Sequence, residues 1–391
     1  MSGTPRIYFD NNATTRVAPA VVEAMLPYLT EQWGNPSSPY QHGRVLVQPI
    51  DAAREKVAAL IHADTQAVVF TSCGTESINT AINSALLTQP GKRHCITTAV
   101  EHSATLKCCE ALVRRGYEVT ILPVETDGSL DLKELECAIR PDTAIVSTLW
   151  ANNETGVLFP VEEIAAICRK HHVLYHIDAV QTPGKLDIDV ETLGVDFLSL
   201  SAHKLNGPKG IGLLYVKPHT PFWPHLLGGQ QEQGRRGGTE NVPYIIAFGK
   251  AAELAMQITP AKRSKLAALR DRLESGLLQR IEGSTRNGNA AHRLPNTTNL
   301  AFVGVESEAV LMLLDQLGIC VSSGSACTTG SAAPSHVLTA MGLNAVQARG
   351  SLRFSLGFES TEAEVDYVLE QLPAIIETLR IAASPRKYAV K

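Results

Sequence analysis

Val195-Asp196-Phe197-Leu198-Ser199-Leu200 runs directly into Ser201-Ala202-His203-Lys204, and the turn-rich Asn206-Gly207-Pro208-Lys209-Gly210 follows. The apolar run has the length of a buried strand, the glycine–proline cluster punctuates it, and Lys204 is presented at the strand's carboxyl end. A single lysine is ordinarily a solvated surface charge. One placed at a strand end can instead hold an aldehyde cofactor as a Schiff base, provided other residues grip a phosphate, a pyridine nitrogen and a substrate carboxylate.

Working outward, strand and helix alternate between residues 67 and 216. Apolar strands are predicted at 67–70, 95–100, 118–123, 143–149, 173–177, 197–200 and 211–216, with helices at 75–87, 131–139 and 161–170 among them. Continuous apolar strands separated by helices predict an α/β fold with a largely parallel, doubly covered sheet. Beyond Pro260 the texture changes: 262–281 reads as one long amphipathic helix, followed by segments at 299–303, 307–317, 352–355 and 362–380. The expected division is a large cofactor-binding domain over 16–260 and a smaller α+β domain formed by 1–15 with 261–391.

Ligands of such sheets bind beyond the carboxyl ends of the strands. Five polar motifs fall at those ends: Ser72-Cys73-Gly74-Thr75-Glu76-Ser77, Glu101-His102-Ser103, Ala151-Asn152-Asn153-Glu154-Thr155-Gly156, Asp178-Ala179-Val180-Gln181 and Ser201-Ala202-His203-Lys204. Gly74-Thr75 at a helix start offers backbone N–H groups to a phosphate, although Thr75 alone reads equally well as a routine cap. Ser201 and His203 add donors. Asp178 can pair with a protonated pyridine nitrogen, with Gln181 on the ring hydroxyl; a helix cap is the plainer role for the aspartate. His102 is flat and basic near neutrality, suited to stacking on a ring and moving protons, where a lone histidine would more often be structural. Arg353 alternates with Leu352 and Phe354, so it points to one face of a strand, either to fork a carboxylate with help from Asn153 or to make an internal salt bridge.

The 391 residues carry 44% hydrophobic and 19% charged content, enough for a large core without staples. A formal charge of -4 from 35 basic and 39 acidic residues, with no dense basic block, argues against nucleic acid and anionic membrane as partners. The first twelve residues hold no basic segment ahead of an apolar stretch, and no stretch is long and apolar enough for a membrane span, so a cytoplasmic location is expected. The eight cysteines, at 73, 95, 108, 109, 137, 168, 320 and 327, show no metal-ligand spacing or disulfide framework, and most are expected to be reduced and buried. Cys327 differs: twelve of the fourteen residues from Ser322 to Ser335 are Gly, Ser, Ala or Thr, which predicts a mobile loop carrying a reactive thiol.

Taken together these residues resemble the pyridoxal-phosphate-dependent cysteine desulfurases of the fold-type-I aminotransferase superfamily. The likeness extends through Asp10-Asn11-Asn12-Ala13-Thr14-Thr15, Gly34-Asn35-Pro36-Ser37-Ser38, Arg236-Gly237-Gly238-Thr239-Glu240-Asn241 and Arg353-Phe354-Ser355-Leu356, besides the strand-end motifs. The long Ser-Gly-Ser-Ala-Cys loop looks like group I, and Asn11 to Thr15 with Ala151-Asn152-Asn153 looks like the nitrogenase-associated, NifS-like branch.

The resemblance implies an aspartate-aminotransferase-like fold with a mainly parallel seven-stranded sheet, and L-cysteine converted to L-alanine. It implies that Lys204 holds pyridoxal 5'-phosphate, that His102 lies over the ring, and that Asp178 and Gln181 hold its polar atoms. Gly74, Thr75, Ser201 and His203 would bind the phosphate, with Thr239 reaching the neighbouring subunit's phosphate in a homodimer with shared active sites. Asn35, Asn153 and Arg353 would position substrate. Cys327 would accept sulfur as a persulfide for an iron–sulfur scaffold or other acceptor protein, in housekeeping or nitrogen-fixation cluster assembly. The reaction itself needs no metal, and Cys327 is a candidate transient iron–sulfur ligand. Gln233 and Arg349 depart from the family pattern, which usually has arginine and histidine there. A selenocysteine lyase or another enzyme on the same cofactor platform is the nearest alternative, and a non-catalytic sulfur-carrier scaffold the alternative of another class.

Overall fold

The computed structural model describes residues 6–323 and 334–383. Twelve strands occur among these residues: β1 (Ile7–Tyr8), β2 (Val68–Thr71), β3 (His94–Thr98), β4 (Glu118–Leu122), β5 (Thr143–Leu149), β6 (Leu174–Asp178), β7 (Phe197–Ser201), β8 (Gly212–Val216), β9 (Ser284–Arg286), β10 (Thr297–Phe302), β11 (Ile319–Cys320) and β12 (Ser351–Ser355). Seven of them form one sheet in the order β2-β8-β7-β6-β5-β3-β4. All are parallel except β8, which runs antiparallel between β2 and β7.

The apolar runs are continuous because both faces of this sheet are covered. Val68, Phe70, Ile96, Leu198, Leu200, Leu213 and Tyr215 face one apolar cluster, while their neighbours Val69, Cys95, Phe197, Leu214 and Val216 face another. The second cluster includes Ile78, Ala81, Ile82 and Ala85 of the helix Gly74–Leu87. Complete burial of a large apolar side chain stabilises the fold by about 1.5–3 kcal/mol, so a register slip, which would exchange the two faces, is strongly disfavoured.

A third cluster joins Ile7 and Phe9 to the helices Pro260–Arg280 and Glu362–Ala383 and to the small sheet β12-β10-β9. Leu352 and Phe354 fill that cluster from β12. The period of two therefore turns Arg353 to the opposite face, toward the end of the large sheet. β1 pairs with β11, so the start of the chain is stitched into this smaller layer. Residues Val337, Leu338, Met341 and Ala348 instead join the larger core.

Predicted and observed elements agree in order and type over residues 67–216. Two helices that periodicity did not separate, Ser103–Arg114 and Val242–Met256, complete the covering layers. Four described cysteines are buried, at 95, 108, 109 and 168, whereas Cys137 is exposed, contrary to the expectation of an inert buried thiol. Its helix, Leu132–Ala138, buries only Leu135, which leaves Cys137 on the solvent face.

Candidate active site

The carboxyl ends of β2, β3, β5, β6 and β7 open into one cavity of about 340 Å³, and Arg353 and the Asn12–Ala13 segment close its far side. Of the residues singled out from sequence, Gly74, Thr75, His102, Asn153, Asp178, Gln181, Ser201, His203, Lys204 and Arg353 line it together. Asn35 and Thr239 do not. Asn35 is exposed, its Oδ1 accepting from the Ser37 N–H at 2.9 Å, and Thr239 is exposed as well. Cys327 lies outside the described residues.

Gly74 opens a fourteen-residue helix whose N-cap, Cys73, makes no side-chain cap bond. Thr75 is thus not the cap but lies inside the first turn. A Cβ at Gly74 would sit 2.8 Å from Val180 Cγ2, so glycine is what lets the helix start lie this close to the loop after β6. The uncapped N–H groups and the positive helix end make a cradle for an anion. His203 closes one side of it; its Nδ1 meets the Thr14 hydroxyl at 3.2 Å, and burial, then Lys204 and Lys209, hold its pKa down to about 4. It is therefore a neutral donor near pH 7.

Asp178 is 8% exposed, and its Oδ1 accepts from the Val180 N–H at 3.0 Å. Burial pushes its carboxyl up, against the pull of His102, that N–H and Lys204. His102 is pushed down by burial, and its Nδ1 accepts from the Ala104 N–H at 3.2 Å, so it also caps the helix that begins at Ser103. Both groups are driven toward neutrality by lack of water, and a cationic ligand atom against Asp178 would restore its charge. Gln181 donates from Nε2 to the Asn12 carbonyl at 3.0 Å, while its Oε1 is buried without a hydrogen-bond partner among the described residues. Such an orphaned acceptor in a cavity wall suits a ligand hydroxyl.

Lys204 follows β7 in a short 3-10 turn and donates to the carbonyls of Asn12 at 2.6 Å and Ala13 at 2.8 Å. Arg353 is 2% exposed; Nη2 pairs with Asp10 Oδ1 at 2.7 Å and Nη1 donates to the Asn153 carbonyl at 3.0 Å, leaving its buried Nε without a hydrogen-bond partner among the described residues. The internal salt bridge weighed from sequence thus exists, and the guanidinium still lines the cavity.

Several groups around the site have no role assigned to them from sequence. Buried Lys185, its pKa lowered to about 7 by burial and by Lys204, donates to the Gln181 carbonyl at 2.9 Å. Glu154 is buried, accepts from the Ser335 hydroxyl at 2.5 Å, and has its pKa pushed up to about 7 by desolvation. His336 bonds through Nε2 to the Glu101 carbonyl at 2.9 Å, fastening the next short helix beside His102. The family departures are peripheral: Gln233 bonds exposed Gln66 at 2.6 Å, and Arg349 is exposed at the end of a helix.

A strand-end crevice with a lysine, a buried aspartate, a helix-start cradle and a facing arginine defines a class of protein, and comparison with known families agrees with it. The Aminotransferase class-V family model matches residues 7–368, and the chain belongs to that family. It is similar to the cysteine desulfurase of Nostoc sp. (strain PCC 7120), at 53% identity over 381 residues, 97% of this chain and 95% of that protein. The cysteine desulfurase NifS of Azotobacter vinelandii is 48% identical over 375 residues, covering 96% of this chain and 93% of its own. A solved NifS-like protein matches with a TM-score of 0.90 at 39% identity, over 96% of this chain and 100% of that one. Among the described residues no helix is long and apolar enough to cross a membrane.

Proposed function

We propose that this chain is a cysteine desulfurase that converts L-cysteine to L-alanine and passes the sulfur to Cys327. The observation that carries the reading is the convergence of Lys204, Asp178, His102, Gln181 and Arg353 on one cavity. These residues fit pyridoxal 5'-phosphate: the helix start at Gly74 is an uncapped anion cradle, Asp178 is a buried acid in need of a cation, and Gln181 Oε1 is an acceptor in need of a donor. Gly74, Thr75, Ser201 and His203 would hold the phosphate, Asp178 the ring nitrogen, Gln181 the ring hydroxyl, and Lys204 the aldehyde carbon. When bound there, the cofactor supplies an electron sink for charge released at the substrate Cα.

The chain's own groups do the rest. Arg353, with Asn153, holds the substrate carboxylate, which fixes the Cα–H bond relative to Lys204. Lys204 then takes the Cα proton, and His102, kept neutral by burial, moves protons near the sulfur. The Cys327 thiolate attacks the substrate sulfur; the carbon–sulfur bond breaks with its electron pair left on Cβ, which is protonated, a proton is returned to Cα from Lys204 to give alanine, and Cys327 keeps the sulfur as a persulfide. That persulfide is passed to an acceptor protein of the iron–sulfur assembly kind.

The active unit is a homodimer. Val22, Leu26, Leu29, Trp33, Val45 and Val47 near the start of the chain are exposed, as are Trp223 and Leu227, and an interface between two copies would cover such side chains. Thr239 lies exposed outside its own cavity, consistent with service to a neighbouring subunit's phosphate. Sedimentation of the purified protein as a monomer would refute this part.

Mass spectrometry after brief exposure to cysteine tests the main reading. An added sulfur is expected on the peptide containing Cys327, together with free alanine. Cys327→Ser should form almost no alanine and carry no added sulfur. Alanine release at the wild-type rate by that variant would make a direct lyase, such as a selenocysteine lyase, the better description.

A further inference from the structure

We infer that Asn12 is a positioning residue that ties the cofactor side of the cavity to its substrate side. The inference rests on the desulfurase reading above for the meaning of those two sides. Asn12 is 1% exposed and belongs to the segment between β1 and the first helix, remote in sequence from everything it touches. Its backbone carbonyl uses both lone pairs inside the site, accepting from Lys204 Nζ at 2.6 Å and from Gln181 Nε2 at 3.0 Å.

The side chain fixes where that carbonyl lies. Nδ2 donates to the Asn153 carbonyl at 3.1 Å and to Thr297 Oγ1 of β10 at 2.9 Å, and Oδ1 accepts from Asn296 Nδ2 at 3.1 Å. The backbone N–H donates to Ser355 Oγ of β12 at 2.9 Å. Thr297, Asn296 and Ser355 are themselves wholly buried, so these three partners are held by a packed core rather than by solvent.

The Asn153 carbonyl is the shared point, for it also accepts from Arg353 Nη1 at 3.0 Å. One residue therefore bonds, through its main chain, two of the groups proposed to hold the cofactor and, through its side chain, the oxygen that orients the carboxylate-binding arginine. The separation between the proton-accepting amine and the substrate clamp follows from this single planar amide. Aspartate could not replace it, since it lacks the two donors, and alanine would leave the Asn153 and Thr297 oxygens and the Asn296 amide buried without this partner.

The test uses full-length protein carrying Asn12→Ala or the near-isosteric Thr297→Val, with three readouts: the dissociation constant for pyridoxal phosphate, kcat and KM for cysteine, and the unfolding midpoint. For Asn12→Ala both the pyridoxal phosphate constant and the cysteine KM should rise roughly tenfold, the loss of one or two buried hydrogen bonds appearing at both sides together. Thr297→Val should move both in the same direction by about threefold. If Asn12→Ala does not fold, Thr297→Val decides alone. A folded variant in which the midpoint falls while both constants stay at wild-type values reduces Asn12 to a packing residue and overturns the inference. If wild-type protein makes no alanine from cysteine, the desulfurase reading fails instead, and the pyridoxal phosphate titration still shows whether Asn12 positions Lys204 and Gln181.

Discussion

Lys204, Asp178 and His102 stand at or just beyond the ends of β7, β6 and β3 of one mainly parallel sheet, whereas Arg353, held by Asp10, and Asn12 reach the same cavity from opposite ends of the chain. The electrostatics of the two sides differ accordingly. On the sheet side, burial drives the Asp178 acid up and the His102 base down, so charge there is held back until a ligand supplies a partner. On the other side the arginine is already neutralised by Asp10 at 2.7 Å. The first arrangement is suited to chemistry and the second to binding, because groups that burial holds near neutrality respond to a charge that arrives while an ion pair only exchanges partners.

That contrast breaks most sharply at Lys204. Lys204→Ala should lower alanine formation by at least about 10³-fold and abolish the visible absorbance that the protein gains with pyridoxal phosphate. A colourless wild-type protein, unchanged by added pyridoxal phosphate, would remove the chemical side altogether. Asp178→Asn keeps shape but not charge, and should cost about 10²-fold in turnover with little change in the cysteine KM. If that variant turns over at the wild-type rate, the buried carboxylate has no part in the reaction.

Arg353→Ala probes the binding side. Removal of a charge-assisted, forked contact should raise the cysteine KM by roughly 10- to 100-fold while leaving the absorbance gained with pyridoxal phosphate intact. Unchanged kinetics with a less stable fold would assign Arg353 to its internal ion pair with Asp10 alone. A separate effect, on stability rather than on turnover, is one of pH. The pKa of Glu154 rises from 4.5 to about 7 on folding, so between those values the folded protein keeps a proton that the unfolded chain has released. This contribution is complete below the unfolded value and lost as the pH rises through 7. Wild type should therefore lose up to roughly 3 kcal/mol relative to Glu154→Gln between pH 4.5 and 8, read from urea unfolding at each pH. Parallel pH profiles would show that Glu154 titrates normally.

What could be read without the structure follows the same division. The strand-end motifs were legible because each polar group lies within a few residues of an apolar run, and a parallel sheet brings all such ends to one edge whatever the loops do. Arg353 was legible as a side chain set apart from Leu352 and Phe354 by the two-residue period. The sequence by itself thus determined the α/β architecture, the crevice and most of the residues lining it. Tertiary structure alone decided the pairing of Arg353 with Asp10, the protonation range of Glu154 and Lys185, and the hub at Asn12. Each of these depends on distances between groups from far-separated parts of the chain and on the exclusion of water around them, and neither quantity is encoded in any local run of residues.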